Sequence, residues 1–105
     1  MEQTSNMQIV KKNNHYELVV LESAVFADYE NILNYLMKEM ALKDIAEIDD
    51  FDTHYQLFNY NDHKIVLYYN NFLGVSLYFD DSTIDNNVQL KVLNDFLEVL
   101  NKKSS

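Results

Sequence analysis

The stretch from Thr53 to Asp80 constrains the fold of this chain more than any other. His54–Asn59, Lys64–Tyr69 and Leu73–Phe79 are rich in β-branched and aromatic residues, the composition of strands on a pleated, half-buried surface. Asn61-Asp62 and Asn70-Asn71 interrupt them at hairpin spacing, and these residue types tolerate the left-handed backbone of tight turns. The spacing predicts a three-stranded antiparallel meander, with the rest of the chain covering or extending it.

Alternation gives the meander two unlike faces. Tyr55, Leu57, Ile65, Leu67, Tyr69, Leu73, Val75, Leu77 and Phe79 are all odd-numbered and apolar. Bringing them to one side requires turns with an odd number of residues. Tyr60-Asn61-Asp62 and Asn70-Asn71-Phe72 satisfy this, opposing Leu57 to Ile65, Leu67 to Val75 and Ile65 to Leu77. A one-residue slip would exchange the faces of a whole strand. The even face then holds His54, Gln56, Phe58, Lys64, Val66, Tyr68, Gly74, Ser76 and Tyr78, with Tyr68 across from the only glycine. This face is unusually aromatic for one exposed to water.

With 105 residues, 48% of them hydrophobic, the chain suits a single domain over residues 1–105 with one core. Residues 1–6 and 103–105 are expected to be disordered. No apolar run approaches membrane-spanning length, and Met1–Asn6 lacks the basic and apolar regions of a signal peptide. There is no cysteine, so no disulfide framework, thiolate metal site or cysteine nucleophile. A cytoplasmic location is the expectation.

Charge narrows the partners. Seventeen carboxylates against eight lysines give a net charge of −9, with no arginine. Nucleic-acid binding relies on Lys and Arg to neutralise phosphate, and anionic lipid attracts the same residues, so neither is an expected partner. A basic protein is. Acids concentrate at Asp44–Asp52 and Asp80–Asp85, where they can speed capture of such a partner.

Before the meander, Gln8–Lys12 and His15–Leu21 read as strands around Asn13-Asn14. The second is apolar on both sides, which suits an inner position in the sheet. From Ala24 to Met40, Phe26, Tyr29, Ile32, Leu33, Leu36, Met37 and Met40 recur at spacings of three and four, the stripe of a core-facing helix. Ser23 or Asp28 can cap its start, and Tyr35 lies off the stripe. Ala41–Asp52 reads as an acidic connection with an irregular strand around Ala46–Ile48. A second helix spans about Asp85–Lys102, with Leu90, Leu93, Phe96, Leu97 and Leu100 as its buried stripe and Ser82 with Asp85 at capping-box spacing. The order β(β)-α-β-β-β-α defines an α+β fold, an antiparallel sheet with two helices on one face. The other face is left open.

Little in the sequence points to catalysis. Asp50, Asp52 and His54, with His63 in the next strand, have a spacing that suits zinc or manganese if they converge, but acids and histidines fall together easily in so acidic a chain. No calcium-loop glycine follows them. Ser23, Ser76 and Ser82 lack an elbow motif, and one glycine leaves no oxyanion or phosphate loop. The chain reads as neither an enzyme nor a cofactor protein.

The helix followed by Asp52-Thr53-His54-Tyr55-Gln56-Leu57-Phe58, Leu67-Tyr68-Tyr69 and Ser76-Leu77-Tyr78 resembles small bacterial domains of unknown function. The layout is also similar to small acidic immunity and antitoxin proteins, a resemblance that implies one-to-one inhibition of a toxin. The expectation is a small protein-binding module of the immunity or antitoxin kind, directed at a basic partner such as a toxin. Asp49, Asp50 and Asp52 would steer, and Phe58, Tyr68 and Tyr78 would anchor. The alternatives are a DNA mimic that blocks a nucleic-acid-binding protein, and a homodimeric or larger adaptor joined through the open sheet face.

Overall fold

Two short turns decide how the sheet is assembled. In the computed structural model, which describes residues 7–13, 15–50 and 52–104, the elements are β1 (Gln8–Lys12), β2 (His15–Leu21), α1 (Phe26–Met40), β3 (Lys43–Asp49), β4 (Thr53–Tyr60), β5 (His63–Asn70), β6 (Gly74–Phe79) and α2 (Asn86–Ser104). The strands form one six-stranded sheet in the order β1-β2-β6-β5-β4-β3, antiparallel throughout. The fold is α+β, as expected, but the meander has four strands rather than three. The extra one is β3, where an irregular strand around Ala46–Ile48 was expected within the acidic connection; it runs longer, over Lys43–Asp49, as an edge strand with a bulge between Asp44 and Ala46. The N-terminal hairpin is formed, and β2 lies between β1 and β6. Residues 1–6 and 105 lie outside the described residues. Helix α2 runs on through Lys103, where a disordered end was expected.

The β4–β5 turn overturns the expected register. Tyr60 pairs with His63, so the loop is Asn61-Asp62 alone. Both residues have positive φ, 50° and 68°, as a type I′ turn requires; that turn matches the twist of the flanking strands. An even-numbered loop places Phe58 opposite Ile65 and Leu57 opposite Val66. The even residues of β4 therefore join the odd residues of β5. Phe58, expected on the open face, is 0% exposed, and its ring lies 6.0 Å from that of Phe96 in α2. Tyr55 and Leu57 take the open face instead.

The β5–β6 turn has three residues, one step later than expected. Asn70 pairs with Gly74, leaving Asn71-Phe72-Leu73 as the loop. The Asn70 side-chain oxygen accepts from the amides of Phe72 (2.7 Å) and Leu73 (3.2 Å), the local bonding that favours Asn in turns. Odd loop length preserves the expected faces, so Ile65, Leu67, Tyr69, Val75, Leu77 and Phe79 are all buried together. The partners slide, setting Leu67 against Leu77 and Tyr68 against Ser76 rather than Gly74. Leu73, expected at the start of a core strand, sits in the turn. Gly74 has φ 84°, and a Cβ there would lie 1.9 Å from the Leu21 carbonyl oxygen; only glycine fits both constraints.

Both helices cover the Ile65–Leu67 face. In α1, Tyr29, Ile32 and Leu36 are buried, the centre of the predicted stripe. Asp28 accepts from the Val25 amide (3.0 Å), half of a capping box. Tyr35 is not simply exposed: its hydroxyl donates to the Val99 carbonyl (3.1 Å) and so joins α1 to α2. At the start of α2, Asp85 itself accepts from the Asn87 amide (2.9 Å), in place of the expected box with Ser82. Gln89 is fully buried and fully used. Its amide donates to the carbonyls of Ser82 (3.3 Å) and Ile84 (2.7 Å), while its oxygen accepts from the Tyr16 amide (2.9 Å). That amide lies just beyond Glu17–Tyr78, the last pair of the β2–β6 ladder, and would otherwise be an unsatisfied donor.

Candidate protein-binding face

Among the described residues no helix lies on the second face of the sheet, yet it is not a simple polar surface. A row of rings crosses four strands there. Tyr55 and Tyr68 are 5.2 Å apart between centroids, Tyr68 and Tyr78 6.3 Å, and Tyr78 and His15 6.2 Å. These separations are within the range of favourable aromatic pairing. Under and between the rings, Val66 and Ser76 are only 6% and 8% exposed. A groove of about 590 Å³ follows the β2 side of the row, lined by Lys12, His15, Glu17, Tyr68, Ser76 and Tyr78 and ending at Phe72 and Leu73.

Burial, and then the neighbouring Tyr55 and Glu17, pushes the Tyr78 phenol up to about 12. Burial raises Tyr68 as well. Both rings therefore stay neutral at physiological pH, presenting an apolar body and a hydroxyl. Glu17 pairs with Lys12 Nζ at 3.8 Å and lies 3.5 Å from His15 Nε2.

The β5–β6 turn, whose Phe72 and Leu73 close one end of the groove, is bonded to the β3–β4 turn. The Asn71 amide donates to the Asp52 carbonyl (3.4 Å), its side chain reaches Asp52 Oδ1 (3.5 Å), and Asn70 donates to Thr53 Oγ1 (3.1 Å). The acidic β3–β4 turn is thereby held against the apolar tip of the β5–β6 hairpin. Phe72 and Leu73 at that tip are 79% and 62% exposed. Asp50 and Thr53 exchange backbone bonds of 2.7 and 3.4 Å that close the acidic turn, and Asp49 Oδ1 lies 2.5 Å from His54 Nδ1.

Of the residues expected to bind, Tyr68 and Tyr78 are on this face, Asp50 and Asp52 lie in the turn bonded to the β5–β6 hairpin, and Asp49 turns to the helix side with His54. Phe58 is excluded by its burial. Phe72 and Leu73 were missed because the turn falls one residue later than the apolar pattern suggests, and Tyr55 and Leu57 because the face of β4 is inverted. The signal that could have found the last two is Asn61-Asp62, a type I′ pair read without regard to the apolar count.

The carboxylate–histidine set does not assemble. His54 points to the helix side, its ring 4.6 Å from Phe26, 5.9 Å from Tyr29 and 5.8 Å from Tyr69. His63 sits at the other end of the β4–β5 hairpin, against Phe79 at 5.4 Å. Among the described residues no group of three His, Asp or Glu side chains is placed to hold a metal ion. Near His54, the Tyr29 hydroxyl is buried with no hydrogen-bond partner among the described residues. Burial, then the carboxylates of Glu47, Asp49 and Glu30, hold its phenol far above the ordinary range.

Comparison with protein-family models, curated proteins and solved structures yields no match, so the face is interpreted from its own chemistry. Among the described residues no helix is long and apolar enough to cross a membrane.

Proposed function

We propose that the chain is a small protein-binding module that engages a basic protein through its helix-free sheet face, most concretely as an immunity- or antitoxin-type inhibitor. The observation that carries this reading is the ring row of Tyr55, Tyr68, Tyr78 and His15 continued by the exposed Phe72–Leu73 tip. A contiguous apolar patch with a polar rim is the usual mark of an interaction surface, and rigid tyrosines are favoured anchors because they bury much area for little lost freedom. The acidic turn beside the tip and the net charge of −9 give the occupant its sign.

The test is capture at low salt from the native host by the immobilised chain and, in parallel, by a Tyr68→Ala/Tyr78→Ala variant. The captured protein is then expressed and titrated against both. The reading expects a stoichiometric basic partner that the folded variant binds at least tenfold more weakly, on the order of one anchor residue's share. A partner held equally well by both would move the interface elsewhere, and a chain that sediments as a dimer through this face would make it an adaptor instead.

A further inference from the structure

β3 ends the sheet, and all of Lys43–Asp49 is exposed. Its pairing with β4 sorts the side chains. Asp44 opposite Phe58, Glu47 opposite Gln56 and Asp49 opposite His54 lie on the helix side, where Asp44 accepts from Gln56 (3.2 Å). Ala46 opposite Leu57 and Ile48 opposite Tyr55 lie on the open side. An edge guarded only against aggregation carries charge and bulges. This one also leaves Ile45 and Ile48 45% and 55% exposed.

A second copy is a poor occupant. Two-fold antiparallel pairing of β3 with itself keeps like faces together, so the row of Asp44, Glu47 and Asp49 would face the same acidic row of the second copy, and like charges directly opposite are destabilising. The same arrangement favours a strand of opposite charge, which is discrimination by repulsion as well as attraction. A second observation is independent of the acids: on the open side the same edge presents Ile48, opposite Tyr55 and 55% exposed.

We propose that β3 is a strand-addition site that takes an extended segment of a basic protein in which Lys or Arg alternates with apolar residues. Backbone bonds to the free edge supply affinity and alternate side chains supply specificity. The bases meet Asp44, Glu47 and Asp49, while the apolar residues extend the open face beside Ile48. This does not depend on the tyrosine face being a binding surface.

The probe is a synthetic peptide matched to the seven residues of β3, alternating Lys with Val. Three controls accompany it: the peptide with alternating amides N-methylated, one with Glu for Lys, and Tyr68→Ala protein. The proposal expects saturable binding that slows amide exchange in β3, and about a tenfold loss with Glu47→Lys. N-methylation and the Glu peptide should abolish binding, and Tyr68→Ala should leave it unchanged. Equal binding of the N-methylated peptide would reduce the effect to charge attraction and overturn strand addition. Loss of binding with folded Tyr68→Ala would move the peptide to the open face and overturn it too, as would protection confined to β1. Failure of the peptide, with the tyrosine variant still losing its captured partner, would refute this site alone.

Discussion

Replacing Phe58 and Leu57 separately by alanine tests the register of β4, on which both the core and the open face depend. Phe58 is fully buried and stacked on Phe96, so Phe58→Ala removes a ring from the core and leaves a cavity, at a cost of about 3–5 kcal/mol. Leu57 is half-buried on the face without helices. Its truncation exposes little and opens no enclosed cavity, for about 1 kcal/mol or less. Urea unfolding followed by circular dichroism measures both. With a slope of about 1–3 kcal/mol per molar, the two midpoints should differ by roughly 1–2 M. A domain this size can be stable by as little as about 5 kcal/mol, so Phe58→Leu provides a milder variant of the same sign should Phe58→Ala not fold. Leu57→Ala costing as much as Phe58→Ala would refute the two-residue Asn61-Asp62 turn and restore the odd-faced register.

Gly74→Ala should cost about 3 kcal/mol or more, because its Cβ would meet the Leu21 carbonyl and its φ is 84°; a loss under about 1 kcal/mol in the same titration would mean that β2 does not pass so close. Tyr78 binds its proton more tightly folded than unfolded, so its contribution is fully present below its ordinary value of 10.0 and lost as pH rises toward about 12. The melting temperature should therefore fall across that alkaline window, less steeply in Tyr78→Phe, and identical slopes would refute the burial of its hydroxyl. With a basic partner in hand, charge reversal at Asp50 and Asp52 should chiefly slow association and flatten its salt dependence, whereas Tyr68→Ala and Tyr78→Ala should chiefly speed dissociation; stopped-flow kinetics separates the two.

Helical periodicity was the most legible signal, since the Phe26–Met40 stripe buries Tyr29, Ile32 and Leu36 as its spacing predicts. The second stripe rotates slightly, so that Gln89 and Val92 replace Leu90 and Leu97 among its buried residues. A polar Gln at a core position gives no apolar signal; it is explained only by the Tyr16 amide it meets across the fold. The pairing of odd faces in β5 and β6 could be read from alternation, but β4 could not, because two competing patterns met at Asn61-Asp62. Counting apolar residues favoured three in the turn, and left-handed turn chemistry favoured two. Backbone geometry won, and Phe58 proved as able to fill the core as Leu57. Of β3 only the middle, Ala46–Ile48, could be read, since an edge strand whose residues are all exposed has no buried position to set its period and extent. Of the candidate face, Tyr68 and Tyr78 were legible and the Phe72–Leu73 tip was not.

Strand order has a consequence for how the chain comes together. β3 to β6 are neighbours in sequence and in the sheet, so their ladders can close through short loops soon after they are made. β2 cannot take its inner place until β6 exists, and its last free amide is met only by Gln89, 73 residues away. Closing so long a loop carries an entropic cost that local hairpins do not, and non-local pairing of this kind sets the pace of folding. The β2–β6 ladder therefore waits for the last strand, and the Tyr16 amide at its end waits for α2 as well.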